Sequence, residues 1–138
     1  MPRLSVWCVR AALLYLGLGF TLGAIVLAAP ALRLPLTVLR LRPLHAEILL
    51  VGWVVQLAFG VAYWILPRLR GPLTRGNERL AWFALLLLNL GVLAAGLGQA
   101  FAAPSWVPVA GRAAESAAAL AFARHAWSRA RVSATRRD

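Results

Sequence analysis

The sequence predicts an all-α integral membrane protein, a four-helix bundle with both termini in the cytoplasm. Its 138 residues are 62% hydrophobic, and the mean hydropathy is +0.75. The charges gather at the ends of four apolar runs, near residues 9–30, 44–66, 80–102 and 106–127. A hydrocarbon core about 30 Å thick needs roughly 20 apolar residues at 1.5 Å each, and each run meets that length. The first run, behind Arg3 and Arg10, resembles a secretory signal ending at Ala28 and Ala29. Pro30 stands where the cut would fall and the run is long for a signal, so a retained helix is expected. Gly19 and Gly23 on this helix form a GxxxG pair, expected to serve bundle packing. The connection from Pro30 to Pro43 carries three prolines and should follow the membrane interface. PRLRGPLTRGNER, after the second run, reads as a turn-rich loop, and APSWVP as a short hairpin between the third and fourth helices. Residues 1–127 form the transmembrane domain in this reading. Residues 128–138 form a basic, solvated tail.

All fifteen basic residues are arginine, and the formal charge is +11. Their placement at helix ends argues for topology and lipid contact rather than nucleic acid. Cytoplasmic termini put Arg3, Arg10, Arg68, Arg70, Arg75, Arg79, Arg124, Arg129, Arg131, Arg136 and Arg137 inside, and leave Arg33, Arg40, Arg42 and Arg112 outside. That asymmetry fits a multi-pass protein of the cell inner (cytoplasmic) membrane. The single cysteine, Cys8, excludes an intrachain disulfide, a CxxC metal site and a covalently attached c-type heme.

The chemistry concentrates on the second run. His45 stands in its opening turn, just after Arg40, Arg42 and Pro43, and an ionisable group there is a functional candidate by default. On a regular helix at about 100° per residue, His45, Gly52, Gln56 and Tyr63 share one face. Trp53 and Trp64 lie close to that face. Such a face suits a flat macrocycle: glycine permits close approach, imidazole ligates iron, and guanidinium groups pair with propionates. The plainer account has Gln56 and Tyr63 hydrogen bonding to Asn89 or Gln99 on the third helix, and His45 as an interfacial residue. Glu47 points away from His45, and Arg112 and Glu115 lie three apart on the fourth helix, so Arg112 is expected to neutralise Glu115 or Glu47. A zinc or iron site made of His45, Glu47 and Glu115 is a weaker alternative. His125 lies a membrane thickness from His45 and reads as interfacial.

Arg40, Arg42, Pro43, Leu44 and His45, followed by Trp53, Gly60, Tyr63 and Pro67, resemble the second transmembrane helix of the catalytic subunit of heme-copper oxidases, specifically cbb3-type oxidases and nitric oxide reductases. In that family the histidine is an axial ligand of the low-spin heme b. The resemblance covers about a quarter of the chain. It implies a small membrane protein binding heme b through His45, with Arg40 and Arg42 near the propionates, and Gly52, Trp53, Gln56 and Tyr63 along the cofactor. Its setting would be respiratory electron transfer or the handling of nitric oxide or oxygen. Two histidines cannot furnish the family's binuclear centre, so the chain is not a complete oxidase or reductase. The partners implied are the lipid bilayer and a second copy or respiratory-complex subunits. The competing expectation is a heme-free structural or assembly subunit of a respiratory membrane complex.

Overall fold

The computed structural model describes residues 1–69 and 75–134. Its elements are four helices: α1 (Arg3–Ala28), α2 (Leu36–Ile65), α3 (Glu78–Ala100) and α4 (Trp106–Ala134). No strand is present among the described residues. The helices α1, α2 and α3 are long and apolar enough to cross a membrane, which supports a membrane protein. Leu14, Leu18, Phe20, Leu50, Leu86 and Leu90 stay exposed on them, as side chains facing lipid would. α4, at 29 residues, is longer than α1, but Arg112, Glu115 and its arginine-rich second half make it less apolar.

α2 is not a uniform helix. It opens with a 3-10 turn at Leu36–Leu41 and becomes α-helical at Arg42, with Pro43 in the first turn, where its missing N–H is no loss. From Ile48 to Val55 it widens into a π-helix, the Gln56 N–H reaching back to the Val51 carbonyl. It then continues as an α-helix from Gln56 to Ile65. The wide turn changes the rotation per residue, so a regular helical wheel does not relate His45 to Gln56 and Tyr63. Leu66 takes an extended conformation (ψ 139°) before Pro67, as a residue preceding proline favours, and this ends the helix.

α3 begins at Asn77, whose side chain accepts the Leu80 N–H at 3.2 Å, and Glu78 adds a favourable charge to the first turn. Gly76 before it takes φ +74°, a conformation glycine adopts without penalty.

The chain packs as a sequential bundle in which α2 lies between α1 on one side and α3 on the other, and α3 and α4 form the most extensive pair. Glycines set the spacing. Gly60 on α2 receives Cys8 and Gly52 receives the Tyr15 ring, while Gly19 on α1 receives Leu49 and Ile48. The GxxxG pair thus serves packing within the bundle, as expected. At the other seam, an added Cβ on Gly111 would lie 2.5 Å from the Ala95 nitrogen, so the α3 and α4 backbones are in contact. Two cores result, one around Leu4, Cys8, Tyr63, Ala84 and Phe122, the other around Tyr15, Leu44, Ile48 and Val92.

α4 continues as a helix through Ala134, and Arg129 is fully buried where a solvated tail was expected. Arg70, Arg136 and Arg137, and most of the tail beyond 130, lie outside the described residues and side chains.

Candidate functional site

The opening turn of α2 puts His45 against α1. Its Nδ1–H donates to the Gly19 carbonyl at 2.8 Å, and the ring stands against Gly23, where a Cβ would come within 2.6 Å of Cε1. The carbonyl can only accept, so Nδ1 carries a proton, and in the neutral ring the lone pair is on Nε2. Metal-binding histidines are oriented in this manner, the second nitrogen held by a carbonyl or carboxylate. Beside the ring a groove of about 720 Å³ runs between α1 and α2. Phe20, Ala24, Leu27, Pro30 and Leu49 give it apolar walls, and Arg42 and His45 are its charged and ionisable members. An apolar slot with few convergent polar groups is the common form of a small-molecule site.

The structure brings Arg42 to His45 but does not place the other expected cofactor residues on that groove. Arg40 is exposed and is not part of the groove's wall. Gly52 is covered by Tyr15, and Gln56 and Tyr63 are enclosed in the bundle. Trp53 packs against the core around Tyr15 and Leu44, and Trp64 is exposed. The interhelical partner of Asn89 is neither Gln56 nor Tyr63. Its Oδ1 accepts from the Tyr15 hydroxyl at 3.0 Å, while its Nδ2 donates to the Leu85 carbonyl. Gln99 donates to the Ala95 carbonyl of its own helix. Gln56 is fully buried, and neither amide atom has a hydrogen-bond partner.

On the opposite side of the same helical turn, Glu47 is buried against α3 and α4. Arg112 Nη2 meets its Oε2 at 2.7 Å, and Nη1 lies 3.7 Å from Glu115 Oε2. The sequence anticipated a cluster in which Arg112 neutralises Glu115 or Glu47, and the guanidinium meets both. His45 faces α1, away from it, and among the described residues no group of three or more His, Cys, Asp and Glu side chains is placed to hold a metal ion.

His125 sits at the other end of the bundle, buried rather than interfacial, with its ring stacked on Tyr63 at 5.4 Å. Arg129, one turn later, was not anticipated at all. Its Nε donates to the Pro67 carbonyl at 3.1 Å, and its Nη2 donates to the carbonyls of Tyr63 at 3.1 Å and Leu66 at 2.5 Å. In a helix the Tyr63 carbonyl would take the N–H of residue 67, which is proline and has none. The guanidinium replaces that donor. Its carbon also lies 5.1 Å from the centre of the Tyr63 ring, within cation–π range. Pro67 was the available signal, since it announces an orphaned carbonyl four residues earlier. Nothing in the sequence names the donor that reaches it.

No family model matches the chain, and no curated protein or solved structure matches it either.

Proposed function

We propose that this chain is a four-span inner-membrane protein, with both termini cytoplasmic, that binds heme b in the groove between α1 and α2. In this reading His45 Nε2 would hold the iron, and Arg42 would pair with a propionate. The observation that carries it is the His45 Nδ1–H bond to the Gly19 carbonyl, which leaves Nε2 as the free nitrogen of a ring lining an apolar groove. When bound, heme b would supply a one-electron couple or a site for a diatomic gas such as nitric oxide or oxygen. The chain's own residues do the rest: Gly23 admits the imidazole, Gly19 orients it, and the aliphatic walls exclude water. The exposed Arg40 acts in topology instead of propionate binding. The groove lies on one side of the α1–α2 pair, so a second copy or a respiratory-complex subunit would complete it.

The four-span topology draws on α4. It runs antiparallel to α3, from Gly111 beside Ala95 to Arg129 at the end of α2, so it covers the same thickness as its neighbours. At its two ends Arg112 meets Glu47 and Glu115, and Arg129 donates to three carbonyls. Reporter fusions after residue 75 and residue 103 test the orientation, the first cytoplasmic and the second external.

A second reading, a heme-free structural or assembly subunit of a respiratory complex, has its own support. Tyr15 and Cys8 fill the space over Gly52 and Gly60, so most of the α2 motif serves helix packing, and the His45–Gly19 bond is itself a tie between helices. Purification in mild detergent from heme-replete cells separates the two. A Soret band with dithionite-sensitive b-type bands, lost in His45→Ala, supports heme binding. Colourless protein, equally stable with and without His45, supports the subunit reading.

A further inference from the structure

At the end of the bundle away from His45, the start of α3 and the second half of α4 enclose a cleft of about 410 Å³. Asn77 and Leu80 of α3 and Arg124, His125, Trp127 and Ser128 of α4 form its walls. The charge on this cleft is one-sided. Arg124 is exposed and takes part in no ion pair among the described residues. Glu47 and Glu115 are engaged by Arg112 at the opposite end, and Glu78 lines a separate cavity with Arg3 and Arg75. Asn77 opens α3, a helix of 23 residues whose first turn carries the positive end of its dipole. Its Oδ1 accepts the Leu80 N–H, which leaves the amide Nδ2 as a donor. Ser128 donates to the His125 carbonyl of its own helix and so gives the cleft only lone pairs.

His125 adds a buried group in need of a partner. It is 3% exposed, with Tyr63 stacked on its ring at 5.4 Å and Phe122 tilted against it at 6.2 Å. Neither Nδ1 nor Nε2 has a hydrogen-bond partner, and the ring forms part of the cleft wall. Buried polar groups in folded proteins are nearly always paired, and an imidazole always carries at least one N–H to donate. Arg129, one turn along, adds positive charge and offers no acceptor. The partner that this ring calls for is therefore an acceptor, and beside Arg124 and the start of α3 an anionic one.

We propose that the cleft binds a phosphate group, either the headgroup phosphate of an anionic lipid or a free phosphate. Arg124 pairs with its oxygens, Asn77 Nδ2 donates to them, and His125 donates from the cleft wall. A phosphate oxygen is an acceptor only, which matches a set of donors. Position favours the lipid as source. The cleft lies at the level where α2 ends and α3 begins, the boundary at which headgroups meet a membrane protein, and its volume exceeds what a bare phosphate fills. The site stands whether or not His45 binds heme.

Native mass spectrometry of the purified chain in detergent, with phosphatidylglycerol or phosphatidylcholine added, reads the site. Retention of one phosphatidylglycerol in preference to phosphatidylcholine is expected. Arg124→Gln should lower that retention about 10–100-fold, as loss of a hydrogen bond to a charged group does. Arg79→Gln, at an exposed arginine outside the cleft wall, should lower it by no more than about fivefold, the share of one basic residue near an anionic surface. His125→Phe keeps a ring for Tyr63 and removes both nitrogens. Without lipid its melting temperature should hold or rise, while retention falls about 2–10-fold, a combination that a purely structural histidine would not give. A rise in melting temperature with inorganic phosphate, absent in Arg124→Gln and unmatched by phosphatidylglycerol, would assign the site to free phosphate. Equal retention of the two lipids with no response to inorganic phosphate overturns the proposal, as does Arg124→Gln binding like wild type. Should His125→Phe fail to fold, Arg124→Gln decides alone, because its side chain is exposed.

Discussion

One methyl group added at Gly23 displaces the His45 imidazole without removing any atom able to bind iron. Built on the present backbone, the Cβ of Gly23→Ala would lie 2.6 Å from Cε1, 3.0 Å from Nδ1 and 3.3 Å from Nε2 of His45. Carbon atoms pack at about 3.5–4.0 Å, so the ring must retreat by about 1 Å. That retreat lengthens the 2.8 Å bond to the Gly19 carbonyl, which both orients the ring and fixes its tautomer. Loss of the bond costs about 0.5–1.5 kcal/mol, while alanine in place of a helical glycine returns about 0.8–1.0 kcal/mol. The two nearly cancel, and the melting temperature should scarcely change. Heme retention should fall about 10–100-fold, as when the partner orienting a metal-bound histidine is lost. Soret absorbance per protein, followed during competition with an apo-heme protein, measures it. Gly17→Ala is the control, because nothing lies within 4 Å of its Cβ. Wild-type heme affinity in Gly23→Ala would show that the imidazole on Gly23 is not the ligand.

Tyr15→Phe strands Asn89 Oδ1 and should cost about 0.6–2 kcal/mol in a detergent unfolding titration, the range for interhelical hydrogen bonds in membranes; an unchanged midpoint refutes that bond. Arg129→Ala removes charge-assisted donors from three carbonyls and should cost at least about 1.5–3 kcal/mol, with Arg129→Lys recovering only part, since an ammonium cannot span them in a fork. A neutral alanine variant would mean that those carbonyls reach water. Gln56→Leu replaces a buried amide that satisfies neither of its groups and should raise stability by about 1–2 kcal/mol. Destabilisation of that size would instead show that Gln56 has a partner in the membrane.

The helical class, the helix order and the pairing of Arg112 with Glu115 were legible from the sequence, because apolar run length and the i, i+3 spacing are local quantities, whereas Glu47 was an alternative partner that the structure adds to the first. The face of α2 was only half legible. His45 and Arg42 precede the π-segment and share one groove, whereas Gln56 and Tyr63 follow it, and a regular wheel places them wrongly relative to the histidine. Gly52 was read as room for a macrocycle, but room left by a glycine can equally be taken by a neighbouring helix, and here Tyr15 takes it. Arg129 was unreadable for a different reason. An arginine after an apolar run ordinarily enters water, and only the tertiary position of the α2 terminus gives it three acceptors.

The bond between Arg129 and the Tyr63 carbonyl also orders events during synthesis. When the ribosome has delivered the second hydrophobic segment, its last turn still has acceptors exposed to the bilayer boundary. They stay unfulfilled until more than sixty further residues have been translated and the closing segment has arrived. The nascent chain is therefore completed from its far end, and any truncation before that arginine should release the middle of the protein to quality-control proteolysis even though every residue of that middle is present.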